Sequence, residues 1–148
     1  MNLKSYLLEE NLDLQKNNLV LFYGENLGLI NDFKEKIKKR SKTVLKFTQD
    51  QILKDENIIF NEIKNDSLFE TKKNIFIDGV NDRILKIIEE IQPHILENKI
   101  YLYGDILDKK SKLRTYFEIE KNCDIVACYK DNEVSVKKII IKHLKDFS

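Results

Sequence analysis

Leu19-Val20-Leu21-Phe22-Tyr23 runs through Gly24 into Glu25-Asn26-Leu27-Gly28-Leu29-Ile30-Asn31. Five apolar residues in a row, without alternation, leave no face for water. Such a run reads as a strand covered by helices on both sides, the pattern of a parallel sheet. After the glycine, Leu29, Ile30, Phe33 and Ile37 recur at spacings of three and four and predict a helix from Leu27 to Lys39.

The same alternation of strand and helix continues outward. Thr43–Phe47, Asn74–Asp78, Ile100–Tyr103 and Asp124–Cys128 are further short apolar, β-rich runs. Between them lie helical patterns at Ile52–Ile63, at Arg83–Gln92 (where Pro93 forces a stop or kink) and at Lys109–Glu120. A leading helix near Leu3–Leu8 precedes the first strand, and an amphipathic helix over Glu133–Phe147 follows the last. The expectation is an α/β domain with a five-stranded parallel sheet, right-handed crossovers and helices on both faces.

A chain of 148 residues suffices for one domain with one core, and a single proline with four glycines leaves no room for a flexible linker. Lys and Arg total 26 against 25 acidic residues, a balance that argues neither for nor against nucleic acid. Cys123 and Cys128 have no metal-ligand spacing and no nearby histidine, so they read as buried free thiols of a reducing cytosol. No apolar stretch approaches the ~18 residues of a membrane span, and acidic residues interrupt Met1–Gln15 where a signal peptide would be apolar. A cytoplasmic protein with no membrane partner is expected.

In open parallel sheets, function gathers at the carboxyl ends of the strands. Gly24–Asn31 has the position of a phosphate-binding loop but not its residues. A working loop, G-x-x-x-x-G-K-[ST], needs amides to cradle phosphates, a lysine to neutralise them and a hydroxyl for magnesium. Here Gly24 and Gly28 are spaced one short, neither lysine nor hydroxyl follows, and Glu25 would set negative charge beside a triphosphate. The plain alternative is a tight strand-to-helix turn capped by Asn26. Asp78-Gly79 ends the third strand with one carboxylate, either a remnant of a magnesium site or a turn cap. His94 and His143 stand without a catalytic constellation. Lys109, Lys110, Lys112 and Arg114 form a basic cluster, read either as a solvated helix face or as a DNA or partner contact. Lys34–Arg40 carries less weight because Glu35 interrupts it. No cofactor and no metal site is expected.

Asp66-Ser67-Leu68-Phe69-Glu70 places two large apolar residues side by side in a connection that would ordinarily be polar. Either the fold tucks them away or another protein buries them.

Three elements in order carry a resemblance. They are the strand Leu19–Tyr23 with its degenerate loop, Ser67-Leu68-Phe69-Glu70 before the strand Asn74–Asp78, and Leu107-Asp108-Lys109-Lys110-Ser111-Lys112-Leu113 after the fourth strand. Together they resemble the first domain of the delta subunit of the bacterial DNA polymerase III clamp loader, over nearly the whole chain. The resemblance implies an AAA+-like domain spanning residues 1–148 with strand order 5-1-4-3-2 and no ATPase activity of its own. It implies a role in DNA replication, as a holoenzyme component that binds the ring-shaped sliding clamp and helps open it. The family's clamp-contacting apolar pair maps onto Leu68 and Phe69, beside Ser67. Other loader subunits would join through a C-terminal collar that this sequence does not include, so a fragment is expected; DNA would be met within the full complex.

A second reading is a receiver-like phosphoacceptor switch, with Asp78 as acceptor and Lys130 after the fifth strand. Only Glu25 stands where that chemistry needs an acidic pair, and Gly104-Asp105 replaces the hydroxyl residue expected after the fourth strand. A receiver would also place its first strand beside its second.

Overall fold

The computed structural model describes residues 1–64 and 72–130. Six strands form one wholly parallel sheet: β1 (Asn2–Lys4), β2 (Leu19–Tyr23), β3 (Val44–Thr48), β4 (Asn74–Val80), β5 (Lys99–Gly104) and β6 (Cys123–Ala127). Their order is β1-β6-β2-β5-β4-β3. Every residue of β2 is buried, as its unbroken apolar run requires, because β2 lies inside the sheet with a helix layer on each face. β3, the outer strand at the end opposite β1, is only half-buried.

Period-two alternation divides each strand between two cores. Val20, Phe22, Phe76, Tyr101 and Val126 point to one face, where they meet Leu8 of α1 (Ser5–Glu10) and Ile30, Phe33 and Ile37 of α2 (Leu27–Arg40). Leu19, Leu21, Ile75, Ile77, Ile100, Leu102 and Ile125 point to the other. There they pack against α3 (Gln49–Lys54), α4 (Ile58–Lys64), α5 (Leu85–Ile91) and α6 (Lys112–Ile119).

The parallel α/β architecture expected from the sequence is present, but with six strands instead of five. The additional strand, β1, pairs with β6 through Asn2↔Ile125, Leu3↔Val126 and Lys4↔Ala127. Three residues with one apolar side chain show no local strand signal; tertiary pairing makes them a strand. It also takes Leu3 and Lys4 from the expected leading helix, which begins at Ser5. The helix expected over Ile52–Ile63 is two helices. Thr48 and Gln51 form a capping box that starts α3 early, and Asp55 closes it with its N–H on the Gln51 carbonyl. The Pro93 stop holds: α5 ends at Ile91, and the chain tightens into a 3₁₀ turn over Gln92–His94. The pattern at Glu133–Phe147 lies outside the described residues.

Candidate functional site

The β2–α2 loop sits at the carboxyl edge of the sheet, between β5 and β6, where a phosphate cradle would be. Three of its backbone amides are spent within the protein. Gly24 N–H donates to the Asp105 carbonyl (3.1 Å), Asn26 N–H to the Cys128 carbonyl (3.0 Å) and Leu27 N–H to the Glu25 carbonyl (3.1 Å). The Asn26 side chain caps α2 by accepting from Leu29 N–H at 3.0 Å. Of the two readings of this stretch, the turn capped by Asn26 is the one observed. Cys128 N–H donates back to the Tyr23 carbonyl at 2.6 Å, so the end of β6 clamps the loop. Gly24 has φ +133°, and a Cβ built there would lie 2.0 Å from the Cys128 carbonyl oxygen. With those three amides turned inward, the loop has no continuous row of donors to offer a phosphate.

Beside the loop lies a cavity of about 310 Å³ lined by Leu27, Ile30, Lys34, Asp78, Tyr103 and Asp105, among others. Asp78, the third-strand carboxylate of the sequence reading, is paired with Lys34 of α2. The same ammonium stands 4.7 Å from the Tyr103 ring centroid. The Tyr103 hydroxyl is buried without a hydrogen-bond partner among the described residues, and burial pushes its pKa far above the phenol range.

Asp78 and Lys130 form no ion pair among the described residues: β4 and β6 are separated by β5 and β2, and the Asp78 carboxylate is paired with Lys34. The Lys130 backbone N–H donates to Glu25 Oε1 at 3.3 Å. β2 neighbours β6 and β5, not β3, the strand that follows it among the five expected. That differs from the strand order expected of a receiver.

The basic cluster is only partly available. Lys109, Lys110 and Lys112 are exposed, whereas Arg114 is half-buried and engaged. Its guanidinium bonds Glu118 (3.0 Å) and the Leu107 carbonyl (3.1 Å) and lies 5.2 Å from the Tyr23 ring centroid. Asp82 anchors this helix start by accepting from the Ser111 hydroxyl and from the Lys112 (3.0 Å) and Leu113 (3.1 Å) amides. Sequence reading missed it because 29 residues separate Asp82 from Ser111. Partial burial works against the Asp82 carboxylate, but these hydrogen bonds outweigh it and hold its pKa below the ordinary 3.8. A lowered folded-state pKa gives stability that is full above the ordinary value and is lost as pH falls through the lowered one. Asp82→Asn is therefore expected to flatten the acid limb of the stability curve. Urea unfolding between about pH 6 and about pH 2.5 measures it; an acid limb identical to that of the unaltered protein would contradict the assignment.

Ser67, Leu68 and Phe69 lie outside the described residues, as does His143. The flanks can be placed: α4 ends at Lys64, and the Lys73 ammonium donates to the Glu62 carbonyl at 2.8 Å just before β4. That is the amino-terminal edge of the sheet, opposite the β2–α2 loop. His94 packs edge-on against Phe60, with ring centroids 5.2 Å apart. Cys123 and Cys128 are free and buried, and burial pushes both thiols up to about 12, so neither is a thiolate at neutral pH. No helix among the described residues is long and apolar enough to cross a membrane, and they hold no cluster of three or more metal-ligating side chains.

Fold and site thus define a parallel α/β domain whose phosphate-loop position is closed by its own backbone. No protein-family model matches the chain. Over 125 residues, 79% of its length, it is 26% identical to the chromosome partition protein Smc of Clostridium kluyveri (strain NBRC 12016). The match covers 10% of that protein, so the chain spans about a tenth of the length of the curated relative it matches. This similarity does not bear on the clamp-loader resemblance.

Proposed function

We propose that this domain is a non-catalytic, AAA+-like clamp-binding module that contacts a ring-shaped sliding clamp during DNA replication. One observation carries the reading. The strand order β6-β2-β5-β4-β3, which is the 5-1-4-3-2 order of the clamp-loader resemblance with β1 added outside, is combined with a loop at the phosphate-binding position that spends its Gly24, Asn26 and Leu27 amides internally. A nucleotide-binding scaffold that has filled its own cradle keeps the architecture and gives up the chemistry. Its remaining use is to present a surface to a partner, and the sequence supplies Leu68 and Phe69 for that. The other loader subunits and DNA belong to the same reading as partners of the assembled complex.

Fully burying a leucine and a phenylalanine is worth about 1.5–3 kcal/mol each. That anchors a contact without making it tight, since association entropy opposes it. Leu68→Ala combined with Phe69→Ala is expected to weaken clamp affinity about tenfold or more, equivalent to about 1.4 kcal/mol or more. The domain itself should keep its fold by circular dichroism. Titration of the double variant against the sliding clamp of the same organism tests this, and undiminished affinity would end the proposal.

A further inference from the structure

Leu96 is the one non-glycine residue with a positive φ (+53°) among the described residues, and it is 80% exposed. Either property alone is ordinary. Scattered exposed leucines need no explanation, and a left-handed residue is a common way to end a helical turn. Leu96 stands at such an ending position, directly after Ile95, which closes the 3₁₀ turn Gln92–His94. That position suits glycine or asparagine, because a larger side chain crowds the left-handed backbone. Leucine adds strain there and gains no burial in return. The tip is also held in place. Asn98 is buried, and its backbone N–H and its Nδ2 both donate to the Ile95 carbonyl at 3.0 Å. Asn18 Nδ2 donates to the Leu96 carbonyl, while the Asn18 carbonyl accepts from Ile100 N–H at 2.8 Å. The turn is thus tied to the starts of β2 and β5.

The neighbours of this turn are the two flanks of the connection from α4 to β4. On the α4 side, Phe60 packs edge-on against His94, with ring centroids 5.2 Å apart. On the β4 side, Lys73 N–H donates to Asn98 Oδ1 at 2.9 Å, and the Lys73 carbonyl accepts from Lys99 N–H at 2.8 Å. Residues 92–99 are therefore bracketed by both flanks of 65–71, the stretch whose sequence carries Leu68 and Phe69. A partner seated on that connection reaches Leu96 at the same amino-terminal edge of the sheet.

We propose, resting on the clamp reading, that Leu96 is a further apolar contact for the sliding clamp, presented by a turn whose strain the folded domain carries for the sake of binding. The surroundings favour a protein surface as the occupant. Leu96 borders a cavity of about 280 Å³ lined mainly by side-chain amides, Asn17, Asn18, Gln92 and Asn122, with one lysine, Lys16. An apolar tip with a largely neutral polar rim has the composition of a protein contact, whereas a phosphate backbone would call for several basic side chains.

The test measures melting temperature and clamp affinity together, with the full 148-residue chain and the sliding clamp of the same organism. Leu96→Asn accepts the left-handed backbone and removes the apolar tip. It is expected to raise the melting temperature by a few degrees and to weaken clamp binding about fivefold or more, two effects of opposite sign. Leu96→Met keeps an apolar tip and should hold affinity within about twofold. Leu7→Asn alters an exposed leucine on α1 and should also stay within about twofold. If the unaltered chain binds the clamp and Leu96→Asn binds it equally well, Leu96 is no contact, and the clamp reading stands without it. If the unaltered chain does not bind the clamp, both fall. Equal losses in Leu96→Asn and Leu7→Asn would overturn the proposal, as would a lowered melting temperature in Leu96→Asn, which would show that the leucine serves the fold.

Discussion

Asp124→Ala is expected to destabilise the protein by about 3–5 kcal/mol, the larger part of a typical domain's margin. Asp124 is 1% exposed at the start of β6 and carries a carboxylate into the sheet. Its oxygens accept from Gln15 Nε2 (3.0 Å), Lys16 N (3.3 Å), Asn17 N (3.0 Å) and Asn17 Nδ2 (2.8 Å). Truncation leaves four donors without that acceptor; the Gln15 amide is buried and the Lys16 and Asn17 donors are partly so, and an orphaned buried donor costs more than its bond contributes. The loss should also reach the site. Residues 15–17 feed directly into β2, and β2 positions the loop at Gly24–Asn26. Urea unfolding gives the magnitude. Asp124→Asn, which keeps the shape and one acceptor oxygen, should lose roughly half as much. A change below about 1 kcal/mol in the alanine variant would show that the carboxylate does not hold the segment.

The second large effect concerns Gly24. Alanine there meets two obstacles: a φ of +133°, which L-residues rarely adopt, and a carbonyl oxygen 2.0 Å from the new Cβ. Backbone lies on both sides of the clash, so no side chain can swing away. The expected cost is about 3 kcal/mol or more, expressed as separation of β6 from the β2 loop. Gly28→Ala is the internal comparison. Its nearest neighbour is Asn26 Oδ1 at 3.5 Å, and it lies in the first turn of α2, so alanine should be neutral or stabilising by up to about 1 kcal/mol. If the two variants melt together, the clamp on the loop is not the constraint described.

Much of this architecture was legible in the residues. β2 declared itself by five apolar side chains in succession, and α2 by its apolar stripe, its Asn26 cap and its basic last turn. What escaped was non-local. β1 is a strand only because β6, more than a hundred residues away, offers it an edge. The α3–α4 break follows from a Thr48/Gln51 cap that was readable, and from an Asp55 stop that a continuous isoleucine spacing concealed. At the site, the missing lysine and hydroxyl of the phosphate loop could be read directly. The closure of that loop by Cys128 and Asp105 could not, since it depends on which strands lie beside β2. The pairing of Asp78 with Lys34 likewise comes from α2 lying across the sheet over the carboxyl end of β4.

The placement of β6 has a consequence during synthesis. It is the last of the six strands to leave the ribosome, yet it must slide between β1 and β2, which are made first. Until Cys123–Ala127 emerges, the nascent chain holds β2 with one row of backbone amides and carbonyls unpaired beside a nearly all-apolar strand. Ordering therefore waits on a contact between distant parts of the polypeptide. Chains stopped upstream of Cys123 would carry a sticky, half-zipped intermediate of the kind chaperones retain.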